Sequence, residues 1–216
     1  MTHSSTTPIA PVLENGDRLT RHEFERRYHA MGDDIKAELI EGIVYMASPV
    51  RARRHGRPHA LIMGWLATYI AETPGVDLLD NATIRLDTDN EPQPDALLRF
   101  QTGGQSILTE DDYIEGAPEL IVEIAASSVS IDLNDKLNVY RRNGVREYIV
   151  WRTEDNELDW FQLEAGQYKR CQPDTDRLYR SKTFAGLWLD VEALLAGNLG
   201  QVLSVVRDGC TRRSQP

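Results

Sequence analysis

The segment ELIVEIAAS at 119–127 restricts the fold more than any other stretch of the chain. Apolar residues fall on both sides of its alternation. That pattern suits a strand covered on both faces, in the middle of a sheet. Glu123 stands inside it, between Val122 and Ile124. A lone ionised carboxylate at such a place is costly unless it is paired or binds a metal. An arginine, a backbone donor or an exposed strand end would satisfy it without any catalysis. A chain that buries this strand must therefore bring something to Glu123.

The flanking segments supply a sheet and its helices. SIDLNDKLNVYRRN (130–143) reads as a helix, with Ser130 or Asp132 as its cap and Gly144 just beyond its end. REYIVWRT (146–153) is a second buried strand. LDWFQLE, QYKRCQ and RLYRSKTF then follow as a β-meander, and WLDVEALLAG closes with a short helix. Upstream, LTRHEFERRYHAM (19–31) reads as a helix and AELIEGIVYMAS (37–48) as a hairpin turning at Glu41-Gly42. HALIMGWLATYIAE (59–72) puts Ile62, Trp65, Leu66, Tyr69 and Ile70 on one helix face. VDLLDNATIRLD (76–87) is strand with a break near Asp80, a strand runs from Asp95 to Arg99, and 102–118 is an acidic loop. This order predicts an α/β (α+β) fold, a mixed β-sheet flanked by helices with a C-terminal β-meander. The 216 residues suit one domain at 19–206, between a flexible leader (1–18) and a frayed tail (207–216).

No apolar run is long enough to span a bilayer, and the polar start lacks the pattern of a signal peptide. Cys171 and Cys210 lie far apart and outside any zinc-ligand spacing, which fits thiols in a reducing cytoplasm. The net charge of −10 argues against a protein that coats nucleic acid. Its distribution is uneven, however. From Gly42 to Ala71 there is no Asp or Glu, and RARRHGR supplies Arg51, Arg53, Arg54 and Arg57. Such a run is a solvated loop or a phosphate-binding window.

Asp95 follows the proline-broken loop EPQP and opens a strand. By itself it is a loop-terminal carboxylate. Beside Glu123 at a neighbouring strand end, it would make a hard oxygen site suited to Mg²⁺. Lys136 lies three residues after Leu133 and four before Tyr140, at the edge of the inward helix face. It either snorkels to solvent or reaches the carboxylates, where an ammonium can orient a water or offset developing charge on phosphate. Glu38 is an exposed hairpin position, an extra ligand or a support. His55 and His59 are cap or loop histidines, or contacts to metal or phosphate.

Taken together, these motifs resemble the PD-(D/E)xK nuclease superfamily and, within it, the Uma-type restriction endonuclease family of bacteria. The elements that carry the likeness are ELIEG (38–42), His59 to Leu66, Pro94-Asp95, GAPELIVEI (116–124), Lys136–Tyr140–Gly144 and EYIVW (147–151). They keep the family's order and spacing over about residues 30–170. The resemblance implies a restriction-endonuclease-like fold and Mg²⁺-dependent hydrolysis of DNA phosphodiesters, with Mn²⁺ as a substitute. It carries Asp95, Glu123 and the carbonyl of Ile124 over as metal ligands, and Lys136 as the catalytic lysine. Glu38 and His59 are auxiliary, and spacing to Leu66 favours His59 over His55. Arg51, Arg53, Arg54 and Arg57 would contact DNA. The wider superfamily's E-x-K would put lysine at 125, where this chain has Ala125. The Uma-type branch instead places it on the following helix.

Two other classes stand beside this reading. One is a non-catalytic DNA-binding or regulatory module that keeps the fold. The other is a carboxylate-pair hydrolase of a small ligand. A homodimer fits cutting of both strands, and an exposed meander after residue 158 would supply an interface.

Overall fold

The computed structural model describes residues 11–32, 35–47 and 49–213. Helix α1 (Arg21–Tyr28) packs on a hairpin of β1 (Ala37–Ile40) and β2 (Ile43–Met46). Their small core holds Leu13, Phe24, Leu39 and Val44. The hairpin turns at Glu41 and Gly42, both at positive φ (52° and 71°), as a two-residue primed turn requires. A wide helical turn at Ala52–Gly56 leads into α2 (Arg57–Ala71), which buries Ile62, Trp65, Leu66 and Tyr69. Next come β3 (Val76–Asp80), β4 (Ile84–Arg85), β5 (Ala96–Phe100), β6 (Ile107–Leu108), β7 (Ile114–Glu115) and β8 (Leu120–Ala125). A second wide turn, Ile131–Lys136, runs into α3 (Leu137–Asn143). Gly144 ends it in the left-handed conformation at φ 87°. After β9 (Glu147–Arg152), β10 (Glu157–Glu164) and β11 (Gln167–Arg170) come β12 (Tyr179–Arg180), β13 (Trp188–Leu189), α4 (Val191–Leu195) and α5 (Leu199–Arg213).

Among the described residues the main sheet has the order β11-β10-β9-β8-β5-β3. Its one parallel pair is β8–β9. Parallel neighbours need a crossover, and the helical segment 131–143 provides it. The alternation of β8 sorts its side chains cleanly. Leu120, Val122 and Ile124 join the core under α2 and α5. Ile121 and Ala125 join the opposite core, with Val139, Tyr140 and Tyr148. Glu123 is in phase with the second set and so faces α3.

The mixed sheet flanked by helices is the one predicted, and three segments differ. Residues 11–18 do not hang loose: Leu13 is buried, and the Gly16 amide donates to the Val44 carbonyl at 2.8 Å. Residues 1–10 lie outside the described part. The acidic loop at 102–118 contains β6 and β7, which join β4 in a three-stranded sheet. RLYRSKTF leaves the meander, because Tyr179–Arg180 pairs with Trp188–Leu189 instead. The first limb of the meander is also buried rather than exposed, at Leu158, Asp159 and Trp160.

The tail does not fray from 207 onward. Val202, Val206 and Cys210 form a buried stripe along α5, at the i, i+4, i+8 spacing of one helix face. Arg213 fastens the far end by donating to Thr73 Oγ1 at 2.7 Å and to the Ala185 carbonyl at 3.1 Å. Gly209 lets the helix close on the turn before β13. A Cβ there would stand 2.3 Å from the Gly186 carbonyl oxygen. Residues 214–216 lie outside the described part.

One buried acid belongs to this frame rather than to the sheet cluster. Glu91 exchanges backbone hydrogen bonds with Leu39. Burial, then the neighbouring Glu25 carboxylate, pushes its side chain up to about 8. Its folded value lies above the ordinary one, so this contribution to stability is full in acid and is lost as pH rises from 4.5 through about 8. Thermal unfolding of the wild type should therefore show a fall of about 2 kcal/mol between pH 6 and 9, and Glu91→Gln should flatten it. Equal slopes for the two proteins would contradict this.

Candidate active site

Strand register builds the site. Ala96 pairs with Val122 across β5 and β8, and one further step places Asp95 opposite Glu123. Directly opposed residues of antiparallel strands share a face. Pro94 has no N–H with which to extend the ladder, and beyond the Ala96–Val122 pair a side chain supplies the acceptor: Asp95 Oδ2 accepts the Ile124 amide at 2.6 Å. The loop-end carboxylate thus caps the strand pair at the sheet's mouth.

Glu123 is buried and doubly held. Lys136 Nζ donates to its Oε1 at 3.0 Å, and the Tyr140 hydroxyl donates to the same oxygen at 2.8 Å. Lys136 also donates to Glu38 Oε1 at 2.8 Å, and Asp132 stands 3.8 Å from it. The amide of Gln93 donates to Glu38 Oε1 at 2.7 Å. Asp132, Lys136 and Tyr140 lie at i, i+4 and i+8, so one helical stripe faces Glu123. The predicted proximity of the lysine to the buried glutamate holds in the structure, and Glu38 lies with them.

The electrostatics follow from burial. Burial pushes the Glu123 carboxyl well above its ordinary range, against the pull of Lys136. Burial also pushes Asp132 up, to about 6. Burial alone would lower the Lys136 ammonium, but Glu123, Glu38 and Asp132 together hold it above an ordinary lysine. Asp95 is held below its usual value: burial opposes ionisation, and His55 and the Ile124 amide outweigh it.

The two histidines play different parts. His55 Nε2 stands 3.0 Å from Asp95 Oδ1, and its Nδ1 is 3.3 Å from the Ile124 carbonyl oxygen. Both oxygens are acceptors only, so both ring nitrogens donate when the ring is an imidazolium. The hydrogen bond to Asp95 raises the His55 pKa accordingly. His59 meets the Asp95 backbone carbonyl and Asp80 Oδ1, each at 3.0 Å. His55 therefore touches the carboxylate, where spacing to Leu66 had favoured His59.

Glu38, Asp95, Glu123, Asp132, Lys136 and His55 line one cavity of about 880 Å³. Arg51 and Arg54 stand at its wall, and Arg54 also pairs with Glu154 at 2.9 Å. Arg53 is exposed and outside the lining. Arg57 lies beside Gly197, toward the C-terminal helices. Among the described residues no three His, Cys, Asp or Glu side chains stand in a metal-holding group. The contacts give the reason: Glu123 is turned to Lys136 and Tyr140, and Asp95 to His55. The donor set still suits a hard cation, since Asp95, Glu123 and the Ile124 carbonyl offer oxygen only. Four carboxyl groups thus gather near one lysine and one histidine, and burial pushes two of them, Glu123 and Asp132, toward their neutral forms.

Sequence reasoning read Asp132 as a helix cap and Tyr140 as an apolar face position. The signal that would have found both is the D-x₃-K-x₃-Y spacing around Lys136.

With this geometry in view, comparison with known proteins is decisive at the level of family. A family model described as "Uma2: Putative restriction endonuclease" matches residues 21–192. The chain belongs to the Uma2 family. The match spans every residue of the carboxylate–lysine cluster. A crystal structure from Anabaena variabilis ATCC 29413, described as "a putative nuclease belonging to DUF820", aligns with a TM-score of 0.64 and 15% identity. The alignment covers 82% of this Uma2 chain and 98% of that one, and at this identity it speaks for the fold. No curated protein matches. Among the described residues no helix is long and apolar enough to cross a membrane.

The buried cluster makes a stability prediction. Lys136→Met leaves three acids without their cation, which should cost about 3 kcal/mol at pH 8. The loss should shrink toward pH 5 as Glu123 and Asp132 take up protons. Denaturant titrations at the two pH values test this, and a loss independent of pH would contradict it.

Proposed function

We propose that this protein is a divalent-metal-dependent endonuclease that hydrolyses DNA phosphodiester bonds. The observation that carries the reading is the strand register that sets Asp95 opposite Glu123 at one sheet mouth, with Lys136 bonded to Glu123. Family membership supports the nuclease class. Asp95, Glu123 and the Ile124 carbonyl would hold Mg²⁺, with Mn²⁺ as a substitute, and Glu38 and Asp132 would support the site from behind. A bound divalent cation supplies Lewis-acid polarisation of the scissile phosphate and a lowered pKa for the attacking water.

The chain's own groups do the rest. Lys136, held protonated by its acids, orients that water and offsets charge growing on the phosphate oxygens. Tyr140 fixes the Glu123 rotamer through its hydroxyl. Arg51 and Arg54 at the cavity wall take backbone phosphates and set the register of the strand. Arg53 and Arg57, outside the cavity lining, serve the flanking backbone. Double-strand cutting needs two copies of the site or two successive events at one.

Cleavage of plasmid and single-stranded DNA with and without Mg²⁺ is the direct assay. Wild-type protein should cut only with the metal. Asp95→Ala, Glu123→Ala and Lys136→Ala should each lose about 10²-fold or more in rate. Cleavage surviving all three substitutions would overturn the assignment. A wild type that binds DNA but cuts none would favour a binding module.

The arginine window has its own test. Binding measured across salt concentrations should show a log–log slope reduced by about one for each lost phosphate contact. Arg51→Ala and Arg54→Ala should each show that reduction, with little effect of base sequence. An unchanged slope would remove the window from the interface.

A further inference from the structure

The imidazole of His55 lies against two of the three atoms assigned above as metal ligands. Its Nε2 faces Asp95 Oδ1 at 3.0 Å, and its Nδ1 faces the Ile124 carbonyl oxygen at 3.3 Å. One side chain thus bridges an aspartate and a backbone carbonyl on two different strands. An ion that drew both oxygens to about 2.1 Å would have to displace the ring that now contacts both. Ring and ion are therefore alternatives at these contacts.

We propose that His55 is a displaceable stand-in for the divalent cation, holding Asp95 and the Ile124 carbonyl in the metal-free protein and swinging out of the site when the ion binds. The inference rests on the metal-dependent reading above and adds a role for a residue outside the ligand set.

Three features fit this role. First, each carboxylate assigned as a metal ligand has its own basic partner in the structure, His55 for Asp95 and Lys136 for Glu123. Without those partners the two acids would repel across the register pair. Second, the two partners are anchored differently. Lys136 is fully enclosed and bonded to both Glu38 and Glu123. The His55 side chain keeps 23% of its surface exposed and borders the open cavity. It can leave by side-chain rotation into that space, whereas Lys136, which also lines the cavity, is held by Glu38 and Glu123. Third, His55 rides on the wide turn Ala52–Gly56, where the amides of both His55 and Gly56 donate to the Arg51 carbonyl, at 2.9 and 3.2 Å. Such wide turns are less regular than α-helix and recur at functional sites. The same turn carries Arg51 and Arg54, so a shift of His55 would move groups proposed to meet DNA phosphates.

Displacement has a thermodynamic consequence. An ion that must break the His55 contacts binds with the affinity of an open site reduced by the cost of opening. Removing the ring should therefore tighten metal binding, the opposite of what removal of a ligand does.

The test is Mn²⁺ titration of DNA-free protein by calorimetry, with free Mn²⁺ followed by its electron spin resonance signal. His55→Ala should bind about tenfold tighter than wild type, the worth of one charge-assisted hydrogen bond. His55→Gln, which keeps a single donor, should fall between them and guards against a folding defect in the alanine variant. In the wild type, saturating Mg²⁺ should shift the His55 ring resonances in NMR spectra. Weaker binding by His55→Ala would make His55 a ligand and overturn the proposal. Equal affinity in all three proteins with unmoved His55 resonances would overturn it as well, while leaving the metal site intact. No binding by wild type or either variant would overturn the metal reading itself, and this inference with it.

Discussion

Burial of Glu123 in the central strand is the constraint on which the rest of the structure depends. A carboxylate at 4% exposure cannot stand alone there. The chain answers with a lysine and a tyrosine from the helix that directly follows the strand. Because β8 and β9 are parallel, their connection must cross the sheet. That same crossover carries Lys136 and Tyr140 onto the Glu123 face. Topology and charge compensation are thus met by one segment.

The arrangement is not built for stability alone. An ion pair enclosed this deeply often contributes no more than apolar side chains of similar volume. Here the lysine is outnumbered by Glu38, Glu123 and Asp132, and Asp132 is pushed up to about 6. The cluster gathers perturbed carboxyl groups beside an open cavity. Perturbed carboxyls lining a cleft are characteristic of functional sites. The loop-end Asp95 extends the cluster to the cavity mouth, and His55 balances it there.

Much of this was legible in the sequence, and the reasons are particular. Glu123 broke an apolar run, so its burial and its need for a partner could be read without coordinates. Asp95 followed Pro94 at the end of a loop, and there its carboxylate, not a backbone carbonyl, accepts the Ile124 amide. The fold class followed from the order of periodic segments. Other parts depended on tertiary contacts that carry no local signal. His55 and His59 are four residues apart and both lie near Asp95, one at the carboxylate and one at the carbonyl, and spacing to Leu66 does not say which meets which. Asp132 resembled an ordinary cap until Lys136 was seen beside it. LGQVLSVVRDGCTRR contains two glycines, and its end reads as a frayed tail, yet Gly209 is what allows its close approach to Gly186. Tyr179–Arg180 paired with the two-residue strand that follows it, Trp188–Leu189, which no alternation pattern announces.

The central claim is that one divalent cation binds between Asp95, Glu123 and the Ile124 carbonyl. Anomalous diffraction from crystals soaked in Mn²⁺ tests it most directly. The account predicts a single strong peak within about 2.3 Å of oxygens from all three residues, the contact range of such an ion with oxygen ligands. A peak elsewhere, or none at saturating Mn²⁺ with Glu123 still bonded only to Lys136 and Tyr140, would contradict it.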